Sequence, residues 1–322
     1  MARKEQNAAE IKLPYKLIPF MKYRMTGYLF SLVVIAFSLF FIVTKGLNWG
    51  LDFTGGTVIE TTFSQSADLG KVRSELDKNG YGSAIVQTLG GTKDLMIRLP
   101  AAEADSKVST NVINVIHQHI DPKAQIKSAE FVGPNVGKEL TESAIYGTLA
   151  TLAMLLLYVG LRFEWRLAVG AIAALFHDVI VTIGFFSLLQ IEIDLTFVAA
   201  ILSVVGYSLN DSIVVFDRVR ENFRKVRRSN TIEIVDISLS QTLSRTLMTS
   251  LTTLVVVLAL FWLGGSTLHS FSLALLIGIA FGTYSSIYIA IGIALRLGLT
   301  RDHMIPPVVE KEGADQEAFI NY

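Results

Sequence analysis

Six apolar runs decide what this chain can become: Thr26 to Thr44, Ala144 to Leu161, Leu167 to Leu189, Leu195 to Phe216, Leu247 to Leu263 and Phe271 to Leu297. A helix needs roughly 20 mostly apolar residues to cross a ~30 Å hydrocarbon core, and each run meets or approaches that length. Backbone polar groups find no water there, so each run must satisfy its own amides as a helix. The chain is 51% hydrophobic and only 17% charged, as that requires. The expected fold is a polytopic α-helical membrane protein with six transmembrane helices, over 26–45, 139–161, 167–189, 195–217, 247–264 and 270–297. Between them lie an arm (1–25), an extramembrane segment (46–138), a loop (218–246) and a tail (298–322). The first run is expected to stay as an anchor, because about 25 polar or basic residues precede it and no small-residue cleavage site follows.

Lysine and arginine set the orientation. They occupy the arm (Arg3, Lys4, Lys12, Lys16, Lys22, Arg24), the second-to-third loop (Arg162, Arg166) and the fourth-to-fifth loop (Arg218, Arg220, Arg224, Lys225, Arg227, Arg228). The opposite short loops, Gln190 to Asp194 and Gly264 to Ser270, have none. Both termini are therefore expected in the cytoplasm and the segment 46–138 in the periplasm, in a multi-pass inner-membrane protein. Net charge is zero, which argues neither for nor against nucleic acid. The basic loop reads as a topology anchor, and no nucleic-acid partner is expected. Cysteine is absent, which excludes disulfides and thiolate metal sites.

The segment 46–138, about 90 residues, is long enough for a small domain. Thr57 to Phe63 is rich in β-branched residues and reads as a strand, and Leu69 to Lys78 reads as a charged helix ending at Asn79-Gly80. Ser83 to Leu89 and Asp94 to Leu99 read as strands joined through Gly90-Gly91, followed by a helix from Asp105 to Ile120 and a strand from Ala124 to Val132. The order β-α-β-β-α-β predicts a small α+β ferredoxin-like domain with both helices on one face of the sheet. It shows no catalytic constellation, and no enzyme is expected. His117 and His119 fall on different faces of the second helix, which suits satisfied or solvated histidines better than a shared metal.

Between the fourth and fifth runs, Ile232, Val235, Leu239 and Leu243 recur at helical spacing, which predicts an interfacial helix packed beneath the bundle, with a partner contact as the alternative. The stretch Ile11 to Arg24 mixes Leu13, Ile18 and Phe20 with basic residues and suits the anionic inner leaflet.

Asp211 is the one charged residue in the run from Leu195 to Phe216. Placing a carboxylate near the middle of a bilayer helix costs about 2.5–3.5 kcal/mol, so an acid there is a functional candidate. It lies roughly 24 Å along its helix from Leu195, in the inner half of the membrane, and Arg245 lies about 28 Å from Gly264 on the next one. The two are close enough in depth to pair if their helices pack side by side. Pairing favours the charged form and burial the neutral form, so a small rearrangement can flip the charge; a static ion pair that fixes helix register is the other reading. Tyr207 and Ser208 precede Asp211 by one turn on the same face, and Thr246, Thr249, Ser250, Thr252 and Thr253 open the fifth run. These hydroxyls either bond the carboxylate and hold water or simply pack helices. Gly278 and Gly282 form a small-xxx-small pair, followed by Thr283, Ser285 and Ser286, again favouring close contact. His177 and Asp178, about 16 Å from the inner end of the third run, are relay groups or a structural hydrogen-bonded pair. Asp217 is expected to pair with an arginine where the fourth run meets the basic loop.

Gly46-Leu47-Asn48-Trp49-Gly50-Leu51-Asp52-Phe53-Thr54-Gly55-Gly56 and the stretch from Gly206 to Asn222 (GYSLNDSIVVFDRVREN) resemble signature segments of the SecD/SecF export-factor family, within the resistance-nodulation-division superfamily, and of its smaller subunit in particular. The likeness extends to Ser244-Arg245-Thr246-Leu247 and to Glu310 through Gln316, and so covers nearly the whole chain. It implies six spans with a periplasmic domain after the first, association with SecD, and assistance to the SecYEG channel, with YajC and membrane lipid as further partners. It also implies use of the proton gradient, after the SecA ATPase has acted, to draw an emerging secretory polypeptide across the membrane. The acid of the family's SLND motif falls on Asp211 and the arginine opening its fifth span on Arg245, both implicated in proton passage; a further acid comes from SecD. Tyr207, Ser208, Asn210, His177 and Asp178 are then candidates for relay support. No metal or cofactor is implied, only protons as the coupling ion. Asp52, Gly55 and Gly56, where the first span joins the domain, form part of a hinge or a tight turn that needs glycine. The alternative function is half of a proton-driven small-molecule exporter of the same superfamily, which would need an equivalent partner half or a homodimer. A passive assembly scaffold is a third, and it predicts that Asp211→Asn is silent.

Overall fold

The computed structural model describes residues 17–88, 91–100, 107–226, 229–265 and 268–301. Most of the arm, Leu89, Gly90, the helix onset expected at Asp105, Arg227, Arg228 and the tail with Glu310 to Gln316 lie outside the described residues.

Helix α1 (Arg24–Lys45) follows a 3-10 turn (Phe20–Tyr23) and stops at Gly46, whose φ of 71° only glycine adopts without strain. Leu29, Phe30, Leu32, Phe37 and Phe40 face outward from it, as suits a helix whose solvent is lipid. Then come β1 (Asn48–Trp49), α2 (Leu51–Thr54), β2 (Gly56–Thr62), α3 (Leu69–Lys78), β3 (Ile85–Thr88), β4 (Asp94–Leu99), α4 (Val108–His119) and β5 (Gln125–Val132). The four longer strands form one antiparallel sheet in the order β3-β4-β2-β5, the ferredoxin-like arrangement that the pattern predicts. Alternation in β4 sets its core: Leu95, Ile97 and Leu99 are fully buried against Ile59, Val86 and the helix residues Val72, Leu76, Val112 and Ile116. Met96 and Arg98 point to the opposite face. The side chain of Asp68 caps α3 by accepting from the amides of Gly70 and Lys71. Nε2 of His117 lies 2.7 Å from the carbonyl oxygen of Ala124, so this histidine is satisfied within the domain.

The rest of the chain is α5 (Pro134–Arg162), α6 (Trp165–Leu189), β6 (Glu192–Ile193), α7 (Leu195–Lys225), α8 (Thr231–Leu263), α9 (His269–Ser285), one π turn (Ser286–Ala290) and α10 (Ile291–Arg296). With α1, and with α9 and α10 counted as one, these are 6 helices among the described residues that are long and apolar enough to cross a membrane. The sixth span, α6 and α7 make the buried centre, whereas α5 buries only Gly137 and Val159. Glycine lets the centre close: Gly278 of α9 faces Val204 of α7, and Gly170 of α6 meets the backbone carbonyl of Ala290 in the π turn.

The interfacial helix is not a separate element. Helix α8 starts at Thr231, capped by the Asn230 side chain accepting from the Glu233 amide, and runs unbroken into the fifth span. No proline or glycine lies between 231 and 263, so nothing stops propagation. Val235 and Leu239 are buried under the bundle as expected, along with Ile234 and Ile237, but Ile232 is exposed. The described end of the arm docks here on protein: Met21 N donates to Asp236 Oδ1 at 2.9 Å and Ile18 N to Ser240 Oγ at 3.0 Å.

Candidate functional site

Two carboxylates meet the free amides at the start of α7. Asp194 Oδ1 accepts from Phe197 N at 2.7 Å, and Asp52 Oδ2, reaching from α2, accepts from Leu195 N at 2.8 Å. Onward from there Phe197, Ala200, Ile201, Val204 and Val205 turn inward, and the same stripe carries Ser208, Asp211 and Ser212 into the bundle. Asp211 is 2% exposed, and its Oδ2 has no hydrogen-bond partner among the described residues. The guanidinium of Arg245 is within electrostatic reach of it, yet the two make no ion pair within 4.0 Å. Arg245 lies on an exposed side of α8, while Thr246 and Ser250 turn inward.

The acid that the structure does saturate is Asp178, in α6. It is 0% exposed; its Oδ2 accepts from Ser208 Oγ at 2.6 Å and from Ser285 Oγ at 2.8 Å, and its Oδ1 lies 2.9 Å from His177 Nδ1. Three helices thus converge on one carboxyl. Gly282 makes room for this, since a Cβ there would stand 3.5 Å from Asp178 Oδ2 and 3.3 Å from Ser208 Cβ. His177 packs beside Phe281 and Tyr284, and its Nε2 is buried without a partner among the described residues.

Around Asp211 the hydroxyls take the helix-packing role of the two read from the sequence. Ser208 bonds Asp178 instead, and Tyr207 donates to Ser250 Oγ at 3.3 Å, which in turn lies 2.8 Å from Thr283 Oγ1. Asn210 is exposed on the far side of α7. Thr249, Thr252 and Thr253 bond carbonyls of their own helix, one turn back. Asp217 does meet an arginine: Arg162 Nη2 donates to its two oxygens at 2.8 and 3.1 Å.

At the other end of α7, β1 and β6 pair in parallel, Asn48 opposite Glu192 and Trp49 opposite Ile193, and Gly50 N donates to Ile193 O at 2.7 Å. Gly55 ends α2 with φ 65° and Gly56 follows with φ 126°, so the turn itself demands glycine. Spacing did not single out Glu192 or Arg98. Arg98 leaves the outer face of β4 and donates to Trp49 O and Thr54 Oγ1, both at 2.6 Å, with Glu192 Oε1 3.5 Å away. Burial pushes the Glu192 carboxyl upward from its ordinary pKa, with Arg98 pulling the other way, and burial likewise raises Asp194 against the amide of Phe197. The only sequence signal for this cluster is that the loop 190–194 holds two acids and no base.

A profile described as "Protein export membrane protein SecD/SecF, C-terminal" matches residues 112–300, and one described as "SecD/SecF GG Motif" matches residues 40–67. A protein named protein translocase subunit SecF from Haemophilus influenzae is 66% identical over 94% of this chain and 93% of its own length. The chain belongs to the SecF family. A SecF of Escherichia coli O157:H7 is 48% identical over 95% of each chain. A crystal structure of SecDF from Thermus thermophilus, titled a translocon-associated membrane protein, superposes with a TM-score of 0.79 at 37% identity over 88% of this chain. SecDF in a form titled super-membrane-facing gives 0.65 at the same identity and coverage. The SecF-family chain spans 39% of the length of these SecDF chains. With relatives named translocase subunits, it is a multi-pass membrane protein of protein translocation, and the small-molecule exporter is not favoured.

Proposed function

We propose that this SecF-family subunit, together with SecD, uses the proton motive force to help complete export of proteins across the inner membrane. The observation that carries this is Asp211: an acid on the buried stripe of a membrane helix, with one oxygen unpartnered and an arginine within reach but unpaired. A buried acceptor left unbonded costs about 1–3 kcal/mol, and more when charged. Such a group gains a proton readily where nothing compensates its charge and loses it when a cation or donor approaches. Asp211 takes a proton from the periplasmic side and releases it inward, and approach of Arg245 favours the ionised form. A further acid is supplied by SecD. His177 and Asp178, with Ser208, support the relay by holding α6, α7 and α9 around it, and Tyr207 does so through Ser250; Asn210, on the outer face, suits contact with the partner subunit.

The basic loops support an orientation with both termini cytoplasmic and the α+β domain periplasmic. There the domain moves against an emerging secretory polypeptide delivered through SecYEG, with YajC and lipid around the complex. No covalent bond is made or broken, and protons are the only coupling ion. The test is Asp211→Asn in vesicles that import a secretory precursor, with and without a proton gradient. Loss of the gradient-stimulated fraction is expected, with the gradient-independent fraction retained. Unchanged stimulation would refute the proposal and leave the passive scaffold.

A further inference from the structure

We propose that Arg98, Glu192 and Asp52 form a strut that carries displacement of the α+β domain to the first turn of α7. They are positioning residues for the proton-coupled step, and the proposal rests on the reading of Asp211 given above.

Arg98 stands on β4, a central strand whose opposite face is the domain core, so it moves with the domain as a body. Its side chain is 14% exposed and ties β4 to Trp49, Thr54 and Glu192 at once. Glu192 Oε1 also accepts from Leu51 N at 3.1 Å, and one residue further on Asp52 caps Leu195 of α7. Each link is a hydrogen bond or ion pair between ordered elements, and no loose loop intervenes. At the base, α5 packs on the glycine turn that ends α2: a Cβ on Gly137 would lie 3.2 Å from Gly55 N. Helix α7 then continues without a break to Asp211. A shift at its first turn is therefore a shift of the acid.

Charge makes the strut depend on Arg98. Asp52, Glu192 and Asp194 lie close enough to repel one another, and the loop 190–194 has no base of its own. Removing the guanidinium leaves three mutually repelling acids at the start of α7 with no cation among them, which opens the joint rather than merely weakening it. The matched part of SecDF superposes on this chain with TM-scores of 0.79 and 0.65 in two solved structures, over the same share of the chain, so the two structures differ there.

The experiment is a double-mutant cycle of R98Q and E192Q in the full complex, alongside D52A, D52N and D211N. E192Q keeps an acceptor for Leu51 N, and R98K stands in for R98Q if the latter fails to assemble. Two quantities are read: gradient-stimulated translocation, and hydrogen exchange at the amides of Leu195 and Phe197. R98Q and E192Q are each expected to lower stimulated translocation and speed exchange by at least about fivefold, the low end of ordinary coupling between sites, and the double variant to do no more than either single one. D52A should speed exchange at Leu195, and D52N, which retains an acceptor, should restore it. Additive losses, or unchanged exchange in all of these variants, would overturn the strut. If D211N alone leaves translocation intact, the proton reading fails, and the strut is then judged on the exchange cycle.

Discussion

Replacing Asp178 by alanine is the sharpest test of how the bundle is held. The carboxyl takes three contacts from three places: Ser208 on α7, Ser285 on α9 and the neighbouring His177. Hydrogen bonds between membrane helices average about 0.6 kcal/mol and reach about 1.7, and two of these contacts, from Ser208 and Ser285, cross between helices, so losing them together should destabilise the bundle by roughly 1 to 3 kcal/mol. Ser208→Ala and Ser285→Ala each remove one contact and should cost about 0.6 kcal/mol. Asp178→Asn keeps the shape, and serine hydroxyls can turn to accept from its amide, so the expected loss is about 1 kcal/mol or less. The assay is equilibrium unfolding in mixed micelles titrated with a denaturing detergent, followed by helicity. A loss under about 0.5 kcal/mol for Asp178→Ala, typical of a surface change, would refute the account of this acid as the point where α6, α7 and α9 are joined. A single serine variant as damaging as Asp178→Ala would refute the sharing of the load. Translocation sorts the two roles of the pair: because support through positioning needs shape rather than a titrating proton, Asp178→Asn should keep gradient stimulation and Asp178→Ala should lose it.

Gly55→Ala forces a β-carbon into a φ of 65° with ψ 171°, a region essentially confined to glycine, and should cost about 1–3 kcal/mol, measured by thermal unfolding; an unchanged midpoint would mean that the turn relaxes freely. In the α+β domain, hydrogen bonding to the Ser64 hydroxyl, with the amides of Lys123 and Ser64, lowers Asp121, and the Thr62 hydroxyl, with Lys127, lowers Asp94. Lowered acids stabilise the fold above their unfolded pKa, about 3.9, and lose that contribution as pH falls below it, so Asp121→Ala should flatten the acid limb of unfolding. Glu192 has the opposite sign: its raised pKa means stability present below about 4.3 and lost as pH rises through the folded value. E192Q should therefore be at least as stable as the parent at neutral pH while losing its coupling, a split that a purely structural residue would not show.

What could be read from the sequence was mostly length and alternation. The bounds of α3 and β4 match the expected 69–78 and 94–99, because a capped charged helix and a two-residue period each carry their own stop signals. Helix α8 was harder: the change from charged to apolar composition near Leu247 looks like a boundary, but composition marks where lipid begins, not where backbone hydrogen bonding ends. The joint of β1 and β6 is two residues on each side, too short for any period to register.

The candidate site was legible in depth but not in direction. Counting residues along two helices gives depth, and depth did bring Arg245 within electrostatic reach of Asp211. It says nothing about direction around the axis. At about 100° per residue, Ser208 and Asp211 differ by about 60° in azimuth, so two residues on one face of α7 can look at different neighbours. Ser208 looks at Asp178 and Asp211 does not, and only packing, set by Gly282 and Gly278 letting α9 close on α7, decides which acid is satisfied. The same geometry gives the two acids different work. An acid bonded on every side resists a change of charge, because each donor would have to be redirected; one with a free oxygen and an unpaired arginine nearby can change charge without undoing the helix contacts around it. Asp178→Asn and Asp211→Asn are therefore expected to part company in one assay, the first sparing gradient-driven translocation and the second abolishing it. Equal effects from the two would show that the intramembrane acids act as one unit, and that the separation drawn between scaffold and relay is wrong.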